Sequence, residues 1–311
     1  MIVYPPIEIT DARLIASSVL EPDVANGEQA WQSGQAYAAG TAVIRASVHK
    51  RYQALVAIAA GDTATPESSP LKWQDMGATN SWAMFERGRA NATVGQAGES
   101  LMFRVKPGSR IDSVALVGME ASYATLRIYQ GTTLQVERTI SLTKRLVHNW
   151  FDYFFNDFTY QNDAIFSDLP MYEDAEVEVE LVYGDVPPSL KALVVCRKVH
   201  LGKTMVDPTL SGANYSRIVR DQEYGDVSRI VQRRFVPTTR QKLLIEDSRD
   251  AEQIRNALIA IRSSPALFSG LDDDTNNPWF TSFLIYGLLK DWTLSAPGLR
   301  YGGLSLELEE L

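Results

Sequence analysis

Three histidines, a single cysteine and one acidic cluster are the side chains in this sequence best suited to acid–base, nucleophilic or metal chemistry. Metal sites need ligands at short, regular spacings, because one turn or strand must present two of them to the same ion. His49, His148 and His200 are far apart, and none stands in an HExxH, HxH or Cys–His pattern. "LDDDTNN" places Asp272, Asp273 and Asp274 among turn formers, but lacks the Gly at position 6 and the Glu at position 12 of a calcium loop. A solvated loop is the expectation there. Cys196 sits in the apolar run "LKALVVCRKV" and reads as a buried thiol rather than a nucleophile. The chain has no GxSxG elbow, no Walker loop and no GxGxxG. The expectation is therefore no catalytic residue, no metal and no cofactor, leaving only a Ser–His or Cys–His pair that the fold itself would have to assemble.

Aromatic residues are the other source of chemistry, through stacking. "AWQSGQAYAAGTAVIRASVHKRYQALVAIAAGDTATP" spaces Trp31, Tyr37 and Tyr52 among small residues and turn formers, with Trp73 a little further on. The spacing predicts a small module pinned by its aromatics. "NWFDYFFNDFTY" is denser, with seven aromatics in twelve residues. It could be an exposed stacking platform for sugars or for a partner protein. The expectation is instead that Trp150, Tyr153, Phe154 and Phe158 anchor a core, with Asp152 and Asp157 at bends, because large exposed aromatic surfaces invite aggregation.

Elements must position these residues, and composition bounds them. At about 150 residues per domain, 311 residues suggest two or three domains. A net charge of −8 argues against a nucleic-acid partner, which needs clustered Lys and Arg. The densest basic stretch, Arg229 to Arg240, holds Arg233 and Arg234 but runs into Pro and Thr, as a solvated strand edge would. One cysteine rules out an intrachain disulfide. "MIVYPPIEIT" lacks the pattern of a signal peptide, and no apolar run nears the roughly 20 residues of a membrane span. Cytoplasmic synthesis and no membrane insertion are the expectations.

Between about 79 and 200 the pattern is β. In "EVEVELV", Val177, Val179 and Leu181 share one face and Glu176, Glu178 and Glu180 the other, which predicts a half-buried strand with an acidic face in water. Several such runs within one segment suggest a β-sandwich or jelly roll. "GATNSWAMFERG" before them reads as a linker. In the last third, Ala251, Ile254, Leu258 and Ile261 predict one amphipathic helix, stopped by Pro265. The strands around it include the alternating "LSLELEEL". The expected fold class is mainly β and multidomain. A small three-stranded module and a sandwich are inserted in, or followed by, an α+β domain with one main helix. The expected segments are 1–27, whose strands pair with the C-terminal domain, then 28–78, 79–200 and 201–311.

The run from Ala30 resembles the small chitin-binding-type carbohydrate-binding modules, three-stranded units with the pattern AWxxxxxYxxGxxV, then YxA, then Pro and a closing Trp. Here those positions are Ala30, Trp31, Tyr37, Gly40, Val43, Tyr52, Ala54, Pro66 and Trp73. The resemblance makes Tyr37, Tyr52 and Trp73 the candidate carbohydrate-binding residues, while Trp31, Tyr37 and Trp73 also suit the module's own core. After YxA, sugar-binding members place exposed Trp, whereas this chain has Leu55 and Val56. Residues 28–240 as a whole resemble tail-associated virion proteins of tailed bacteriophages, in which such a module precedes a galactose-binding-like β-sandwich. The residues that carry this are "DMGATNSWAMFE", "PGSRIDSVALVGMEA", "NWFDYFF", "DLPMY" and "KALVVCRKVHLGKT". The resemblance implies a structural, non-enzymatic protein of the tail tip or baseplate, a threefold or sixfold homo-oligomer located in the virion. Its implied partners are other tail proteins and host surface glycans. The alternative from another class is a glycan-active enzyme with an accessory binding module, which would need two carboxylates facing each other across a cleft.

Overall fold

A computed structural model of the protein describes residues 1–311 apart from 87, 89–90, 145–148, 156–158, 184–185, 206–208, 215–216, 222–226, 232–234, 248, 263, 272–278 and 297–300. His148, Asp157, Phe158, Arg233, Arg234 and Asp272 to Asp274 therefore lie outside the described residues. The protein is mainly β, built of several antiparallel sheets with one main helix. It divides into two compact units, one of Met1–Pro6 with Cys196–Leu311 and one of Ile7–Val195.

The second unit contains a β-sandwich. Its five-stranded sheet runs, in spatial order, Thr133–Ser141, Tyr123–Gln130, Ala175–Val182, Leu101–Val105 and Leu14–Ser17. Ala164–Phe166, Ser113–Glu120, Ser189–Cys196 and Thr93–Val94 make the four-stranded sheet. The strand Ala175–Val182 buries Ala175, Val177, Val179 and Leu181 and turns its glutamates outward. Those apolar residues join Phe103, Leu126 and Ile128 of their own sheet and Val114, Leu116 and Val195 of the other in one core. Alternation at period two gives the five-stranded sheet one dry face, whereas Ser113–Met119 in the facing sheet is buried on both. The strand Leu14–Ser17 pairs with Leu101–Val105 of this sandwich, not with the C-terminal sheet, because Leu14 packs against the sandwich core.

The outward glutamates are not left in water as an acidic face. Arg104 pairs with Glu176 at 2.7 Å, and Arg127 reaches Glu137, Glu178 and Glu180 at 2.8, 3.1 and 2.9 Å. Neighbouring strands supply both arginines: Arg127 stands directly opposite Glu137 and Glu178, and Arg104, opposite Glu178, reaches diagonally to Glu176. The hydrogen bond to Glu137, followed by those to Glu178 and Glu180, pushes the Arg127 guanidinium above its ordinary pKa despite the opposing cost of burial.

In the other unit, Ile2–Tyr4 lies between Val199–His200 and Ala266–Ser269 in an antiparallel sheet. That sheet continues through Leu284–Ser295, Gly302–Glu310 and Phe235–Ile245. The segments "LIYGLL" and "DWTLS" belong to one strand from Leu284 to Ser295 with an irregularity between Leu289 and Asp291. A bulge absorbs the polar Lys290, and pairing resumes at Asp291 opposite Glu307. Leu304, Leu306 and Leu308 point inward, meeting Ile254, Leu258 and Ile261 of the helix Asp250–Ile261. Three of the four residues expected on the helix face are buried, while Ala251 is only half-buried at its edge.

Candidate functional site

The small module is a three-stranded antiparallel sheet of Ala42–Arg45, Lys50–Ala54 and Trp73–Ala78. Each motif position has a local task. Ala30 bridges Ile44. Gly40 turns the chain at φ +86°, a conformation that a side chain resists. Pro66 is buried and opens a short 3₁₀ turn. Val43, Tyr37, Tyr52, Ala54, Ile58 and Trp73 form the core, with Trp31 packed against it. The Arg45 guanidinium lies 4.7 Å from the Trp31 ring centre and pairs with Glu67 at 2.9 Å.

The three candidate sugar-binding residues therefore sit inside the module. Tyr37, Tyr52 and Trp73 are 5, 5 and 3% exposed. Tyr37 meets Trp73 edge to face, with ring centres 5.5 Å apart. Its hydroxyl accepts from the Gln32 N–H at 2.7 Å, so the polar end is satisfied as well. Burial, and then the nearby Asp75 carboxylate, raise the Tyr52 phenol above its ordinary pKa. Stacking on a pyranose needs an open ring face, and at this exposure these rings serve as core instead. Leu55 and Val56 occupy the exposed positions after YxA, with no ring between them.

A polar junction joins the module to the sandwich, and sequence reasoning missed it. His49, in the left-handed conformation at φ 53°, places Nδ1 2.7 Å from Glu21 and Nε2 2.6 Å from Asp11. Its ring stacks on Trp82 with centres 4.0 Å apart. Thr79 donates to the other Glu21 oxygen at 2.7 Å. Asn80 is stitched to the edge strand Thr93–Val94, donating to the Val94 carbonyl and accepting from its N–H, both at 2.8 Å. Glu28 accepts from the Asn80 and Asp23 N–H groups at 2.7 and 2.8 Å. "GATNSWAMF", expected as a linker, is thus a lock whose Thr79, Ser81, Ala83 and Met84 are buried. Such networks hold one geometry when every polar group in them is satisfied. Beside this junction opens a cleft of about 480 Å³, lined by Asn26, Glu28, Arg51, Met76, Asn80 and Asn91 among others. Its lining is polar, with Asn80 and Glu28 already engaged in the junction, and its size falls within the range of small-ligand sites.

The aromatic run overturns another expectation. Trp150, Tyr153 and Phe154 do not anchor the core. Trp150–Phe155 is a short helix (α1), and Trp150, Phe151, Tyr153, Phe154 and Phe155 are 79, 69, 52, 64 and 71% exposed. The helix is spliced between Thr143–Lys144 and Thr159–Tyr160, which pair as a two-stranded ribbon outside both sandwich sheets. A helix on such a ribbon has no sandwich layer over it.

Among the described residues, no group of three or more His, Cys, Asp or Glu side chains is placed to hold a metal ion, and Cys196 is buried. No helix among them is long and apolar enough to cross a membrane. No protein-family model matches the chain, and no curated protein matches it either.

Proposed function

We propose that the chain is a structural component of a bacteriophage tail tip or baseplate, self-associating around the tail axis and holding its small module outward toward fibres or host glycans. The observation that carries this reading is the convergence of the module motif. Residues as far apart as Ala30 and Trp73 build one small sheet, and the segment that follows them locks that sheet to a β-sandwich. Module followed by sandwich is the order that the resemblance to tail proteins implies. A rigid junction suits a part that presents a surface rather than one that turns over substrate. Glycan contact, in this reading, falls to the polar cleft around Glu28, Arg51 and Asn80 and not to the buried Tyr37, Tyr52 and Trp73. Peptide mass spectrometry on purified tailed particles tests the proposal: it expects this chain among the particle proteins. A chain absent from particles that instead shortens glycan polymers would overturn it.

A further inference from the structure

We infer that α1 is a self-association device, its aromatic rings packing against α1 of neighbouring copies of this chain. Soluble monomers seldom expose contiguous apolar patches beyond a few hundred Å². Phe, Tyr and Trp offer roughly 150–250 Å² each, so the five rings at their stated exposures present on the order of 700 Å². A stable interface takes about 800 Å² from each partner. Separately, Tyr160 on the two-stranded ribbon is 48% exposed and meets Tyr183 edge to face, with ring centres 5.3 Å apart.

The geometry favours a copy of the same chain over other occupants. At about 100° per residue the rings sweep about 200° of the helix surface, with Asp152 outside that arc. One partner needs a stripe of little more than 100°, so the wider arc fits a helix that meets more than one neighbour near a symmetry axis. The rings are already ordered along that arc, Phe151 against Phe155 at 4.9 Å and Tyr153 against Phe154 at 5.1 Å. Aromatic faces and edges complement one another, so identical patches are self-complementary without any charge pairing. A lipid surface fits less well. Interfacial helices carry Lys and Arg on their polar face, whereas α1 carries Asp152 and no basic residue in its last turn, in a chain of net charge −8.

This inference rests on the proposed function only in treating the chain as self-associating. Its test is the solution mass of the full chain beside that of a triple variant, Trp150→Ser, Phe151→Ser and Phe154→Ser. The expected result is an oligomer for the wild type and the 34.6 kDa monomer for the variant, which still melts cooperatively because the replaced rings belong to none of the chain's cores. In addition, Phe154→Cys should give cross-linked copies with a bismaleimide, since Cys196 is buried. A monomeric wild type, a variant as oligomeric as the wild type, or an oligomer without cross-links would each overturn the inference. So would wild-type binding to phosphatidylcholine vesicles that the triple variant loses. An oligomer indifferent to α1 leaves the tail reading standing, whereas absence from particles removes that reading whatever α1 does.

Discussion

Replacing Trp73 with alanine separates a core role from a sugar-binding role. The ring is 3% exposed and packs among Tyr37, Val43, Tyr52, Ala54 and Ile58. Truncating a buried Trp costs about 3–5 kcal/mol. A segment the size of residues 28–78, at about 0.05–0.15 kcal/mol per residue, holds only about 3–8 kcal/mol. The substitution should therefore bring the module to the edge of unfolding while the sandwich stays folded. Hydrogen exchange read by mass spectrometry follows each sheet separately. Amides of Lys50–Ala54 and Trp73–Ala78 should lose protection, and those of Ser113–Glu120 and Ala175–Val182 should keep it. Leu71→Ala, at a residue 89% exposed, is the control and should change nothing. Full protection in the Trp73→Ala module, with loss of glycan binding alone, would refute the core assignment. Joint loss across module and sandwich would refute the independence of their cores.

Three further outcomes follow from the same geometry. Arg127→Met leaves Glu137, Glu178 and Glu180 facing one another without their shared cation. It should cost about 1–3 kcal/mol in urea unfolding, less at high salt; no change would mean that the triad is ornamental. Hydrogen bonds from the Arg249 side chain and N–H hold the Asp247 carboxyl down at about 2. A lowered folded-state value stabilises above the ordinary carboxylate range and is lost as pH falls toward 2. An NMR titration should place the Asp247 midpoint near that value, and Arg249→Ala should raise it. Titration of the full chain with chitin oligosaccharides should give millimolar affinity or none, about −4 kcal/mol, because Leu55 and Val56 stand where stacking rings are needed. Submicromolar binding would contradict this.

Elements whose burial follows one local period were legible in the sequence. "EVEVELV" and "LSLELEEL" alternate with period two, and the helix Asp250–Ile261 repeats at helical spacing, so each names its own buried face. In the module, the core role of Tyr37 and Trp73 was legible from the motif positions, whereas Tyr52, expected only as a candidate sugar-binding residue, is buried beside them. What escaped was whatever depends on distant partners. Asp11 lies 38 residues from His49 and Glu21 lies 28 from it, so no local spacing announces the junction. The acidic face misled because Arg127 sits 51 and 53 residues from Glu178 and Glu180. The aromatic run misled differently. Hydrophobicity says that a surface will be covered, but it does not say whether the cover comes from the same chain.

The central claim, that this chain is a symmetric structural part of a phage tail tip, is tested most directly by a reconstruction of the tailed particle. The expected result is three or six copies around the tail axis, α1 helices meeting between neighbours and small modules facing outward. A reconstruction in which the chain is missing, or present as one isolated copy, would contradict it.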